Sequence, residues 1–304
     1  NRDHINIREN ILVSSLDVKL KDNINTFTDF KLLLPHTRKG DNEIFISTIL
    51  NNLNLLTPKI YFTELEMFQQ KNKYLFYENL NKEFLERNKK VEGPIIRGDE
   101  RFFFNDGKKN FIFARLENSN WIKENKKNQI ERSVEALTLA NKLFISTIKT
   151  ENMALDPHLK FNYDGIKEYI NYENIIKFRL LINAFGASNS LSINDLRMYY
   201  DPVFKKFDLI FKDGSTTFLQ MPQKINYSYI NNEEVDKVEE VISSIDSLDL
   251  KKVRQDLSRK GLNISSDKLL YNISKLKKRL KTIESNKSKL KKNENTKFSK
   301  KDIA

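Results

Sequence analysis

The sequence predicts an α+β chain: a strand-rich lobe, a helical lobe and a basic helical tail. Three observations carry this reading. Period-two apolar runs with turn residues between them crowd the first 120 positions, helical spacing takes over near Asn128, and the composition turns lysine-rich after residue 250. The boundaries drawn on this basis are a strand-rich lobe over 1–120, a helical lobe ending in a hairpin over 121–230, and a helical basic tail over 231–304.

Each element has its own warrant. Ile11-Leu12-Val13 and Leu16 to Leu20 alternate as short strands. A helix follows Gly40, with Asp41 or Asn42 as cap, Glu43 in its first turn, and Ile46, Ile49, Leu50 and Leu53 as its apolar stripe; Thr57-Pro58 stops it. Lys59 to Leu65 and Tyr74 to Glu78 flank a polar connection and form a hairpin, followed by a short helix over 82–88. Asn105-Asp106-Gly107 turns a second hairpin between Arg101 to Phe104 and Phe111 to Ala114. Helical spacing marks 128–148 and 164–185, the latter ended by Gly186. A polar loop then leads to a hairpin of Leu196 to Tyr200 and Phe207 to Phe211, turned at Asp201-Pro202 and closing on Asp213-Gly214. In the tail, Leu269, Ile273, Leu276, Leu280, Ile283 and Leu290 lie on one heptad seam, which either pairs with a second copy or lies on the body.

Composition narrows the chemistry. The 304 residues contain no cysteine, which excludes disulfides, thiolate zinc and cysteine nucleophiles, and His4, His36 and His158 are too scattered for a histidine cage. Any metal here is a hard one held by oxygen. No apolar run approaches the ~20 residues of a membrane span. The chain starts at Asn1 rather than Met, compatible with a removed leader or a longer reading frame, so the compartment is unknown. The net charge of +12 is concentrated at one end: residues 1–250 hold 35 Lys and Arg against 36 Asp and Glu, and residues 251–304 hold 18 against 5. Nucleic-acid or other anion binding by electrostatics alone is therefore expected only through the tail. With eight glycines, neither a Walker loop nor GxGxxG occurs.

The most informative stretch is Asn194-Asp195-Leu196-Arg197-Met198-Tyr199-Tyr200-Asp201-Pro202, continuing to Phe207-Asp208-Leu209-Ile210-Phe211-Lys212-Asp213-Gly214. It resembles the CotH-type kinases, in which an Asn precedes a Tyr-containing strand and the hairpin closes on an acid. The likeness extends upstream through Lys31, Pro35-His36-Thr37-Arg38, Asn42-Glu43 and Tyr77 to Glu86, covering about residues 28–220. The resemblance implies a two-lobed protein-kinase-like fold that binds ATP with Mg²⁺ or Mn²⁺ and transfers phosphate to a protein substrate. It implies Asn194 and Asp213 as metal ligands, since an Asn and an Asp on neighbouring loops hold the ions in kinases. It also implies Lys31, Arg38, Glu43 and Glu78 on the nucleotide side, with Glu43 able to pair with Lys31.

Each of these residues also has a plain reading. Asp213-Gly214 is an ordinary turn signal, Glu43 a first-turn carboxylate, Arg38 a solvated loop residue and Glu78 a surface acid. One departure from the kinase pattern stands out: the catalytic position five residues before Asn194 is Asn189, whose amide cannot accept a proton as a carboxylate does. That moves the expectation toward a pseudokinase, a weak transferase, or a scaffold recruiting partners through residues 269–290.

Overall fold

The computed structural model describes residues 6–8, 11–24, 26–67, 69–99, 113–120, 127–148, 167–192, 195–227 and 230–287. The turn at Asn105 to Gly107, Trp121, Asp156 to His158, Asn194 and Leu290 lie outside them.

The chain is of mixed α and β structure with two four-stranded antiparallel sheets. A two-stranded ribbon, β1 (Asn6–Arg8) and β2 (Ile11–Val13), precedes the first sheet. That sheet runs in the order β3 (Leu16–Ile24), β4 (Phe27–Leu33), β6 (Gln70–Glu78), β5 (Ile60–Met67). Its register places Asp17 opposite Lys31 and Lys31 opposite Tyr77, so the three form one row across β3, β4 and β6 on a common face. Between β4 and β5 the chain makes α1 (Gly40–Asn52), which is buried around most of its circumference, Glu43 included. The expected side-chain cap at Asp41 or Asn42 is absent; Lys39, in the left-handed region at φ 51°, takes the cap position, and Asn42 is buried.

The short helix α2 (Lys82–Arg87) forms where expected, with the Asn81 side chain accepting from the Phe84 N–H. The second sheet runs β10 (Lys206–Ile210), β9 (Arg197–Asp201), β7 (Ile95–Gly98), β8 (Ala114–Leu116). It joins the expected hairpin to two strands from the first 120 residues. Arg97 and Arg197 face each other across β7 and β9, an arrangement that requires a shared anion.

The helix over 128–148 appears as α3 (Lys127–Ile148). The one anticipated over 164–185 is shorter than its periodicity suggested: α4 spans Tyr172–Phe185. Ile170 satisfies the helical spacing but is drawn into a bridge with Phe207, and Asn171 donates to the Phe207 carbonyl, so tertiary pairing displaces the start of the helix.

Three further segments close the chain: α5 (Asn232–Val235) with α6 (Val238–Asp246), α7 (Leu250–Arg259) and α8 (Ser266–Ser285). The heptad seam lies on the chain's own body. Leu269, Ile273, Leu276, Leu280 and Ile283 are buried in the main hydrophobic core, where α8 packs on α4, α6 and α7. The turn after α7 is fixed to the first sheet, since Phe62 donates to the Lys260 carbonyl and Gly261 at φ 80° packs on the Phe62 ring, where a β-carbon would sit 3.1 Å from its Cβ. The lysines of α8 are partly matched: Lys277 pairs with Asp246 at 2.7 Å and Lys281 pairs with Glu239, both acids of α6.

Because Leu276 is wholly buried, Leu276→Ala is expected to cost about 2–5 kcal/mol in urea unfolding. The melting temperature should not change with protein concentration; a rise with concentration would mean that the seam joins separate copies instead.

Candidate functional site

The centre of the site is the turn after β10. Asp213 and Ser215 both lie in the left-handed region, at φ 46° and 47°, a conformation that side-chain-bearing residues rarely hold without support. The support comes from four side chains. The Ser190 hydroxyl donates to the Lys212 carbonyl at 2.6 Å, and the Asn189 amide donates to the Asp213 carbonyl at 3.1 Å. The Asp213 N–H donates to the Tyr77 hydroxyl oxygen at 3.2 Å, and Glu43 Oε1 accepts from the N–H groups of Gly214 at 2.7 Å and Ser215 at 3.2 Å. Gly214 is needed here, because a β-carbon would lie 3.1 Å from Ala187 Cβ and 3.2 Å from Glu43 Oε1.

This fixed turn aims Asp213 and Lys212 into a cavity of about 280 Å³ whose opposite wall is the Asp17–Lys31–Tyr77 row, with Arg38 at its side. Asp213 is ion-paired with Arg38. Lys31 lies 3.7 Å from Asp17 and also lines a second cavity, of about 430 Å³, that reaches Asp29, Asn79, Leu80 and Asn81. The two cavities thus share one wall residue and form neighbouring compartments along the first sheet.

The electrostatics are uneven. Glu43 is wholly buried, and its second carboxylate oxygen has no hydrogen-bond partner. Burial, reinforced by the nearby Asp213 charge, pushes its carboxyl up to about 8. Glu117, which follows β8, behaves oppositely: burial opposes its ionisation, but Lys212, Arg197 and Arg97 around it hold it down at about 2. Lys212 is pushed down to about 8 by burial and by the Arg197 charge, against the pull of Glu117. Three cations share one carboxylate, so the acid is strongly favoured while the lysine is only partly compensated.

The sequence-predicted residues meet different fates. Asp213, Lys31 and Arg38 line one cavity. Glu43 does not pair with Lys31; it reaches the other side of the turn and clamps its backbone, because α1 is packed inside the fold and not along a wet edge. Glu78 is neither a surface acid nor in this cavity: it is 2% exposed, accepts from the Lys59 N–H at 2.7 Å, and pairs through both oxygens with Arg87, fixing α2 to the start of β5. Asn189 sits in a single 3₁₀ turn (Ser188–Leu191), and its amide bridges the Asp195 carboxylate, at 3.0 Å, and the Asp213 backbone. It is a bracket, not a proton acceptor. Asn194 lies outside the described residues.

Three neighbours were not singled out from the sequence. Asp195 directly follows the candidate ligand Asn194, and adjacent residues of an extended strand face opposite ways; but β9 begins only at Arg197, so Asp195 lies in a turn and points to the Asn189 bracket. Tyr77 reads as a core aromatic, and Lys212 as a surface lysine. The available sign was the position of Lys212, directly after the apolar run Leu209-Ile210-Phe211 and directly before the candidate acid.

No protein-family model matches the sequence, and no curated protein is similar to it. Among solved structures, the chain is similar to one in the complex of the Shewanella oneidensis MR-1 toxin–antitoxin system HipA, HipB and its operator DNA. The TM-score is 0.40 and the identity 9%, over 91% of this chain and 66% of that one, so the chain spans just under two thirds of that structure's length.

A carboxyl raised as Glu43 is keeps its proton in the folded chain where the unfolded chain has lost it. Its contribution therefore weakens as pH rises from about 4.5 to about 8. Compared with Glu43→Gln, which preserves an acceptor for Gly214 and Ser215, the native chain should lose an additional 2 to 4 kcal/mol, on the order of magnitude set by the shift, between pH 5 and pH 8.5 in urea unfolding. Parallel pH profiles for the two proteins would show that Glu43 is ionised in the fold.

Proposed function

We propose that this chain is a CotH-kinase-like nucleotide-binding protein that takes ATP with Mg²⁺ in the cleft between its two sheets. The observation that carries the reading is the convergence of Lys31, Arg38 and Lys212 with Asp213 on one cavity of about 280 Å³. Phosphate oxygens need clustered cations, and a magnesium ion bridging them needs an oxygen ligand on the protein; this cavity wall offers both. The neighbouring compartment of about 430 Å³, past Lys31, has room for the nucleoside. Asp213 is the metal ligand in this reading, and Asn194 stays its proposed companion. Arg38 is the resident counter-ion of Asp213: an arriving cation displaces it, and the freed guanidinium meets the phosphates.

The proposal favours binding over transfer. Asn189 supplies an amide where proton transfer needs a carboxylate, and that amide is committed to the Asp195 and Asp213 bracket. Any phosphoryl transfer to a protein hydroxyl falls to Asp195, the nearest carboxylate on the loop. Tail-driven nucleic-acid binding is the weaker reading, because two of the five α8 lysines, Lys277 and Lys281, are paired with α6 acids.

Thermal denaturation with ATP and Mg²⁺ tests the proposal. At a hundredfold excess of ligand over Kd the folded state gains about 2.7 kcal/mol, a rise of about 4 °C for a chain of this size. Asp213→Asn should remove the magnesium-dependent part of the rise. No shift with ATP at millimolar concentration, with or without magnesium, would refute nucleotide binding.

A further inference from the structure

Lys212 is both fixed and largely enclosed. The peptide unit that follows it is held at both its polar groups, by Ser190 at the Lys212 carbonyl and by Tyr77 at the Asp213 N–H, and before it the Phe211 N–H donates to the Leu56 carbonyl. Its side chain is only 20% exposed, yet it lines the cavity beside Asp213. Its partner, Glu117, lies 3.3 Å away, but the same carboxylate is 3.2 Å from Arg97 and 3.4 Å from Arg197. Those two arginines face each other across β7 and β9 and cannot release it.

Around this corner the acids are divided unevenly. Asp17 serves Lys31 and Asp213 serves Arg38, but Glu117 is shared among Lys212, Arg97 and Arg197. A partly buried lysine that shares its counter-ion with two arginines gains from a further anion.

We infer that Lys212 is the principal anchor of a phosphate group in this cleft, and that Glu117 is the internal anion it leaves when a phosphoryl or polyphosphate ligand enters. The inference rests on the nucleotide reading above and names the residue and the exchange that the reading leaves open. Lys31, on the more exposed wall and paired with Asp17, then acts as a peripheral cation. The lysine of a nucleotide cleft is here supplied by the strand end next to the metal-site acid, not by the strand of the opposite sheet.

Opposite effects of the two partners separate an anion site from a structural ion pair. The probes are ATP and inorganic tripolyphosphate, each titrated calorimetrically into the full chain in EDTA at low salt. Lys212→Met should weaken both by thirtyfold or more, Lys212→Arg should recover most of the loss, and Lys31→Met should cost less than tenfold. Glu117→Gln, by removing the competing carboxylate, should tighten both severalfold even though it lowers the melting temperature. A Lys212→Met chain that binds like the native one, while Lys31→Met or Arg38→Met does not, overturns the inference and leaves the nucleotide reading standing. Native protein that binds neither probe in EDTA overturns the inference, and native protein that also fails to bind ATP with Mg²⁺ overturns the nucleotide reading as well. Should Lys212→Met not fold, the sign of the Glu117→Gln change decides: weaker or unchanged binding overturns the inference.

Discussion

A buried glutamic acid holding two backbone N–H groups is the constraint on which the rest of the site depends. Glu43 comes from the first turn of α1, and Gly214 and Ser215 come from the end of the second sheet, 171 and 172 residues away in sequence. The bond fixes a turn that two non-glycine residues would otherwise leave at small cost, since the left-handed region disfavours any residue with a β-carbon. Once that turn is fixed, Asp213 and Lys212 have one direction to point, and it is into the cleft. The desolvation that raises the Glu43 carboxyl is the counterpart of this arrangement. The group works as a hydrogen-bond acceptor in a dry place, and its unpartnered second oxygen is what neutralisation by a proton relieves.

The cleft itself is built from register. Asp17, Lys31 and Tyr77 share a face because antiparallel pairing puts them opposite one another, and each contributes a different property: a counter-charge, a cation, and a hydroxyl that receives the Asp213 N–H. Across the cleft, the second sheet gathers Arg97 and Arg197 onto one carboxylate. Neither sheet alone makes a site. Together they line a cavity that gathers three cations, Lys31, Arg38 and Lys212, with two acids, Asp17 and Asp213.

Much of the architecture was legible in the sequence, for definite physical reasons. Apolar and aromatic runs bounded by turn residues located β5, β6, β9 and β10, the last two buried on both faces. The heptad spacing of Leu269 to Ile283 correctly named a buried seam but could not choose its partner, since a seam fits a second copy and the chain's own α4 and α6 equally well. The start of α4 was misjudged because Ile170 fits both a helical stripe and a strand bridge, and only the neighbouring Phe207 decides between them. Asp213, Lys31 and Arg38, which the resemblance implies, line one cavity. The role of Glu43 was not legible, because it depends on α1 being enclosed, a property of packing and not of local spacing. Glu78 misled for the same reason: its Arg87 partner is nine residues away and becomes adjacent only when α2 folds back. Lys212 carried one local sign, its place between the Leu209-Ile210-Phe211 run and Asp213, and that sign does not reveal the charged corner that only the fold assembles.

The most direct test of the account is crystallographic: the protein grown with a non-hydrolysable ATP analogue and Mn²⁺, with anomalous data collected at the manganese edge. The account predicts one manganese peak bound by an Asp213 carboxylate oxygen at about 2.1 to 2.2 Å, with Arg38 displaced and the terminal phosphates toward Lys212. Nucleotide density elsewhere on the molecule, or manganese away from Asp213 with the Arg38 ion pair intact, would contradict it.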